Sequence, residues 1–414
     1  MSEQTNIPKH WQIKKLGEVC LTTSGGTPSR SNKNYYEGNI HWVKSGELDK
    51  GLILDTEENI SDEAIRNSSA KIFPKGTLLI ALYGATIGKL AFLGVDAATN
   101  QAVCGIFKNE KINSKYLYHF LFYKKPSLTK QGIGGAQPNI SQGILKNLEI
   151  PIPPIPEQQA IVSKIEELLS DLENGKQQLQ TAQQQLKVYR QSLLKWAFDG
   201  RLTNKDVKDG ELPKGWKWVK VSEISNVVRG GSPRPAGDPK YYDGNIPFLK
   251  VRDITKDSNP YLTTFEYSIK EAGLHKTRLI KPNTLLLSNS GATLGIPKIA
   301  MIAATMNDGI AAFLDLDQRS NLYLYYFWLS KTKELRNINM GAAQPNLNTD
   351  IIKNYLVPYC SFSEQQCIVD ELESKLTICD KIEESIRQSL QQAETLRQSI
   401  LKKAFEGKLI THSI

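Results

Sequence analysis

Ile150-Pro151-Ile152-Pro153-Pro154-Ile155-Pro156-Glu157-Gln158-Gln159 separates two kinds of sequence. The four prolines between 151 and 156 exclude helix there and predict a stiff, extended connector. From Glu157 onward the pattern is helical. Ile161, Ile165, Leu168, Leu172, Leu179, Ala182, Leu186, Tyr189 and Leu193 step alternately by four and three residues, and Gly175 fills the one missing slot. Such a seam, held for about five heptads, is that of a coiled coil. The helix should stop at Asp199-Gly200, where glycine accepts the left-handed terminal conformation.

Upstream, short apolar runs alternate with Gly/Ser/Asn loops. Leu78-Leu79-Ile80-Ala81-Leu82-Tyr83 and Ala102-Val103-Cys104-Gly105-Ile106-Phe107 suit buried strands. Leu78 to Val95 reads as two strands around a turn rather than a membrane span, since it holds Lys89 and several glycines and threonines. Asn113 to Tyr123 reads as a helix, with Ser114 as its cap and Leu117, Phe120 and Leu121 on one face.

All of this then recurs, shifted by roughly 207 residues. Tyr35-Tyr36-Glu37-Gly38-Asn39-Ile40 returns as Tyr241-Tyr242-Asp243-Gly244-Asn245-Ile246, and Ala136-Gln137-Pro138-Asn139 as Ala343-Gln344-Pro345-Asn346. A second seam follows: Ile368, Leu372, Cys379, Ile382, Ile386, Ala393, Leu396 and Ile400, with Leu376 and Leu390 one place off it. Ser363-Glu364-Gln365-Gln366 fits a capping box at its start, and Glu406-Gly407 its end. Its connector, Val357-Pro358-Tyr359-Cys360-Ser361-Phe362-Ser363, keeps a single proline, which predicts a less fixed exit angle. The expected architecture is α+β: globular domains at 1–156 and 201–362, and spacer helices at 157–200 and 363–414 that form an antiparallel, pseudo-two-fold coiled coil on the order of 60 Å long.

Net charge is +9, and it sits on the globular parts. Residues 1–150 hold 18 Lys/Arg against 13 Asp/Glu, and residues 206–360 hold 20 against 15, so each carries +5. Basic domains favour phosphate backbones through counterion release. Five cysteines without a Cys-x-x-Cys pair argue for a reducing cytosol and against disulfides or a thiolate zinc site. The five histidines are scattered, so no metal spacing appears, and the polar start Met1-Ser2-Glu3-Gln4-Thr5-Asn6 predicts no signal peptide.

Catalytic signatures are missing. Gly84-Ala85-Thr86-Ile87-Gly88-Lys89-Leu90 has one residue too few between its glycines for a P-loop, and Leu90 where a magnesium-binding hydroxyl belongs. Gly132-Ile133-Gly134-Gly135 lacks the last glycine of a dinucleotide fingerprint, and Pro153-Pro154 has none of the flanks of an amino-methyltransferase motif. Polar loops are present instead. The glycine pairs Gly25-Gly26 and Gly230-Gly231 would let backbone approach a ligand. Beside them stand Thr27, Ser29, Arg30, Asn32, Lys33 and Tyr35 in the first copy, and Arg229, Ser232, Arg234, Lys240 and Tyr241 in the second. The paired tyrosines and glycines occur twice, so they shape the loops. Positions that differ between copies are the better candidates for reading bases: Tyr83 against Ser290, Gln101 against Asp308, and Lys44-Ser45 against Lys250-Val251 with Arg252 following. Thr86, Gln137 and Asn139, with Asn289, Thr293, Gln344 and Asn346, complete the candidate set.

As a whole the chain resembles the specificity subunit of type I restriction–modification systems. The likeness is carried by Trp11…Leu16-Gly17-Glu18-Val19 and Trp216…Val221-Ser222-Glu223-Ile224, by Gly25-Gly26-Thr27-Pro28, by Gly135-Ala136-Gln137-Pro138-Asn139-Ile140, by the proline run into Glu157-Gln158, and by Leu193-Leu194-Lys195-Trp196-Ala197-Phe198-Asp199-Gly200-Arg201-Leu202. The resemblance implies a cytoplasmic, non-catalytic subunit whose two target-recognition domains read the halves of a split site in double-stranded DNA. It implies two methyltransferase subunits and motor-nuclease restriction subunits as partners, no membrane, and no cofactor in this chain. The rivals are a scaffold carrying two ligand-binding modules on a coiled coil, which would show no salt-sensitive DNA retention, and a stand-alone methyltransferase, which the missing motifs oppose.

If the paired helices act as a spacer, inserting seven residues in register into both should lengthen the permitted gap between half-sites by about 10 Å, or about three base pairs. Footprints on duplexes of graded gap length measure this, and an unchanged gap rules the spacer out.

Overall fold

Strands Leu78–Ala81 and Val103–Ile106 are buried at every position in the computed structural model. Alternation decides what each residue meets. Leu78 and Ile80 face one apolar cluster, and Leu79 and Ala81 face another on the opposite side of the sheet. A strand covered on both faces reads as an unbroken apolar run, which is why the sequence shows it so clearly.

The structure describes residues 7–410 apart from 133–138, 205, 209, 292 and 339–346. The chain divides into two compact units, residues 1–179 with 388–414, and residues 180–387. The first unit holds a five-stranded sheet in the order Thr22–Ser24, Val103–Ile106, Leu78–Ala81, Leu90–Leu93, Leu52–Ile53, and a four-stranded sheet in the order Asn59–Ile60, Ile40–Val43, Ala97–Thr99, Ile72–Phe73. A two-stranded ribbon pairs Gln12–Lys15 with Glu149–Ile152. The second unit repeats all three sheets strand for strand. Its five-stranded sheet runs Asn226–Arg229, Ile310–Leu314, Thr284–Ser288, Pro297–Ala300, Tyr261–Leu262. The expected strand–turn–strand over Leu78 to Val95 is present as an antiparallel pair.

The helix expected from Asn113 runs from Ser114 to Gln131, past Tyr123 and through Pro126. Burial of Tyr116, Leu117, Phe120, Leu121 and Leu128 offsets the about 3 kcal/mol that an interior proline costs. Its cap is Asn113, not Ser114: the Asn113 Oδ1 accepts from the amides of Lys115 (2.9 Å) and Tyr116 (3.1 Å).

The two long helices span Ile155–Phe198 and Phe362–Phe405, 44 residues each, or about 66 Å of helix. Each gives its first part to one unit and its last part to the other. In the first unit Ile161, Val162 and Ile165 share a cluster with Leu401, Ala404 and Phe405; in the second, Leu193, Ala197 and Phe198 share one with Ile368, Val369 and Leu372. Start therefore packs near end in both, the antiparallel arrangement. Matching ion pairs join the helices: Arg397 reaches Glu173 at 3.4 Å, and Arg190 reaches Asp380 at 2.6 Å and Glu383 at 3.1 Å. Ile161, Ile165, Leu186, Leu193, Ile368, Leu372, Cys379, Ile386, Ala393 and Ile400 are buried as the seam requires, and Leu168, Leu172, Leu179 and Ala182 are half-buried. Tyr189, Ile382 and Leu396 are exposed against expectation. A 3.5-residue repeat drifts round a 3.6-residue helix, and Leu376 and Leu390 are half-buried one place along from the seam.

The connectors differ from their expected form. Pro151 lies within a strand, opposite Ile13, and the helix starts at Ile155 with Pro156 inside its first turn. Amides of that turn have no intrahelical acceptor, so a proline there loses nothing. Both connectors, whatever their proline count, are held by the same pair of contacts. Tyr116 donates to the Pro151 carbonyl at 2.7 Å and Tyr323 to the Pro358 carbonyl at 2.6 Å. Buried Gln158 donates to the Pro153 carbonyl at 2.8 Å, and buried Gln365 to that of Cys360 at 3.0 Å. The second helix is capped by Ser361, whose hydroxyl accepts from the Glu364 amide, and not by Ser363.

All five cysteines are free. Among the described residues no helix is long and apolar enough to cross a membrane, and no cluster of His, Cys, Asp and Glu has the arrangement of a metal site.

His119 is 8% exposed, 4.0 Å from Glu166; in the second copy Tyr326 donates to Glu373 at the matching place. Burial holds the imidazole at a pKa of about 4, against 6.5 when free, with Glu166 opposing the shift and Lys115 adding to it. Between those values the unfolded chain binds the proton and the folded chain does not. Stability is therefore complete above pH 6.5 and falls towards pH 4, by up to about 3 kcal/mol. His119→Tyr should flatten that slope in urea unfolding measured from pH 4 to pH 7.

Candidate nucleic-acid interface

The two Gly-Gly loops are held the same way in both copies. Gly25 and Gly26 donate to the carbonyls of Val103 and Thr99, and Gly230 and Gly231 to those of Ile310 and Met306. A Cβ on any of them would overlap the protein's own neighbouring segments: Thr99, Ser69, Asn307 and Lys276. These glycines serve close packing inside the module, not approach to a ligand. The second tyrosine of each pair latches the loop: Tyr36 donates to the Pro28 carbonyl at 2.6 Å and Tyr242 to that of Pro233 at 2.8 Å. Tyr35 is half-buried against the small cluster beneath the first loop, and Tyr241 is buried beneath the second.

A third shared tie joins each loop to a turn between two strands. Thr27 donates to the Gln101 amide oxygen, and Ser232 to the Asp308 carboxylate at 2.7 Å. The tie uses an acceptor oxygen in each copy and leaves different chemistry outward: an amide NH2 on Gln101, a second carboxylate oxygen on Asp308. Arg234 stands 3.8 Å from that oxygen, and Arg229 donates to the Asp308 backbone carbonyl at 2.6 Å.

Below the loops two buried carboxylates, Glu47 and Asp253, each accept a pair of backbone amides, from Lys44 and Glu57 and from Lys250 and Glu266. On that common frame the surroundings diverge. In the first copy Lys44 is ion-paired to Glu57 (2.8 Å) and Glu58 (2.9 Å), and Arg30 to Glu58 (2.6 Å). These cations hold the Glu58 carboxyl below its usual range, the Arg30 bond first. In the second, Tyr267 takes the place of Glu58, and the Lys250 ammonium lies 3.3 Å from its ring centre. Arg252 stands 3.7 Å from Glu266, and Lys240 5.5 Å from the Tyr241 ring.

Other expected residues are spread more widely. Ser29 bonds Ser31, Asn32 caps the turn at Asn34, and Lys33 is exposed on that turn. Exposed Tyr83 bridges Asn139, and Thr86 donates to its carbonyl, so these three form a second loop end in the first unit. Ser290 is half-buried, and Thr293 offers its carbonyl to Ser288. Gln137, Gln344 and Asn346 lie outside the described residues. Sequence reasoning missed Trp42, Glu57, Glu58, Glu266 and Tyr267. Trp42 and Glu58 become Phe248 and Tyr267 in the second copy, so the repeat gives no signal for them.

A family model of the type I restriction modification DNA specificity domain matches residues 8–181 and, again, 213–392. The chain belongs to this family. Two curated members illustrate the kinship. The chain is 30% identical over 336 residues to the type I restriction enzyme EcoBI specificity subunit of Escherichia coli, covering 76% of this chain and 69% of that one. It is 26% identical over 370 residues to the MjaIX specificity subunit of Methanocaldococcus jannaschii, covering 85% and 83%. Solved structures share the fold. One chain from a structure addressing complex assembly and conformational transition of a type I R-M system superposes with TM-score 0.74 at 23% identity, covering 97% of this chain and 99% of that one. The HsdS subunit from Thermoanaerobacter tengcongensis gives 0.65 at 22%, covering 97% and 98%.

Within this specificity-domain framework Asn289 is a misplaced candidate. It is fully buried, and among the described residues its side-chain amide has no hydrogen-bond partner. Its carbonyl accepts from Leu347 just as that of Leu82 accepts from Ile140, so the first copy puts leucine there. An unpaired buried amide costs about 1–3 kcal/mol. Asn289→Leu should stabilise the protein by about that much in chemical denaturation; an unchanged or lowered midpoint counts against an unpaired amide.

Proposed function

We propose that the chain is the sequence-reading subunit of a type I restriction–modification assembly, and that it contributes no catalysis. Each module reads one part of a split site in duplex DNA. Methyltransferase subunits and motor-nuclease restriction subunits supply the chemistry and bind its cofactors, and this chain needs none. One observation carries the reading: the specificity-domain match occurs twice, on two modules whose loops share their glycine, tyrosine and hydroxyl bonds while their outward groups differ. A common frame fixes how a module meets the double helix, and changed side chains on it change the bases accepted. The +5 on each module is the matching sequence-independent attraction.

Co-expression with its methyltransferase partners should mark host DNA at a single split motif, mapped as modified bases, and omission of this chain should abolish the marks. Binding of the assembled complex to unrelated duplex should weaken with a log–log salt slope of about −0.9 per phosphate neutralised. Marks that persist without the chain refute the assignment.

A further inference from the structure

Arg30 sits on a platform that only the first module builds. Its Nη1 donates to Glu58 Oε2 at 2.6 Å, and its guanidinium carbon lies 4.2 Å from the Tyr36 ring centre and 5.2 Å from that of Trp42. The rings meet edge to face at 5.7 Å, and each is pinned: Tyr36 donates to the Pro28 carbonyl and Trp42 Nε1 to that of Gly26 at 3.1 Å. The arginine side chain nonetheless keeps 55% of its surface exposed. Among the described residues its other N–H groups have no bond to protein. The second module keeps the latched tyrosine, as Tyr242, but has Phe248, Tyr267 and Pro235 where the first has Trp42, Glu58 and Arg30.

Such an arrangement is ill-suited to a phosphate. Arg30 and Lys44 are balanced by Glu57 and Glu58, so the cluster carries no net charge to attract a backbone. A phosphate contact also needs no fixed direction, and a mobile lysine makes it as well. Neutralising the charge while clamping the guanidinium by one edge and one face leaves only directional donors. Two parallel N–H groups held in a plane match the O6 and N7 acceptors of guanine in the major groove. We propose that Arg30 reads a guanine in the half-site met by the first module, and that Glu58 is its positioning residue. This rests on the DNA-reading function proposed above.

The test uses the chain co-expressed with its methyltransferase partners, with host genomic DNA as probe and modified bases mapped genome-wide. The wild-type motif should contain a G·C pair in the part that Arg30 reads. Arg30→Lys keeps charge and stem but not the planar fork, and should relax that one position by about tenfold or more, leaving the other part of the motif intact. Glu58→Gln should relax the same position, and Glu58→Asp should restore discrimination in part, a pattern that general loosening of the fold does not give. An unchanged motif in Arg30→Lys, or equal loss of marking at every position, overturns the proposal. A wild-type complex that marks no split motif overturns the functional reading itself, and this distinguishes the two failures.

Discussion

A buried glutamine closes each junction between the two-stranded ribbon and the long helix, and it fixes where the helix leaves its module. Gln158 donates to the carbonyl that precedes its helix and accepts from the Asn113 amide, so one side chain ties the connector, the helix start and the module helix together. Gln365 repeats the first bond. A buried amide that loses its partners costs more than the bond contributes, so these contacts hold the junction to one geometry.

The Gly-Gly loops separate two tasks. Glycine packing, the tyrosine latch and the hydroxyl tie recur in both copies and set the backbone. The outward groups are free of that duty, and they are where the copies part: amide against carboxylate at Gln101 and Asp308, carboxylate against phenol at Glu58 and Tyr267. A protein built this way can change what it accepts without rebuilding how it holds itself, because at Gln101 and Asp308 one acceptor oxygen keeps the tie while the other group varies.

Most of the fold was legible from spacing alone. Strands buried on both faces give unbroken apolar runs, heptads give long helices, and the repeat gives two modules. What escaped depended on contacts distant in sequence. Nothing near Pro151 says that a tyrosine from another helix donates to its carbonyl, so the sequence shows the prolines and not this bond. Ser114 and Ser363 are good caps by composition, but Asn113 and Ser361 hold the geometry one and two residues earlier. At the candidate interface the charged residues were visible, whereas their partners were not. Arg30 and Lys44 look alike in sequence as free cations, and only the fold brings Glu58 to both. Asn289 shows the converse error, a base-reading residue type at a position where burial forbids contact with any partner outside.

The partition of the chain bears on its synthesis. The second unit is one continuous stretch, residues 180–387, whereas the first is completed by residues 388–414. Leu401, Ala404 and Phe405, which close the first core, are made only after the whole of the second unit. The module made first is therefore the one finished last. Until those residues are made, its apolar face lacks that cover from its own chain, and that interval is when nascent polypeptides depend on chaperones.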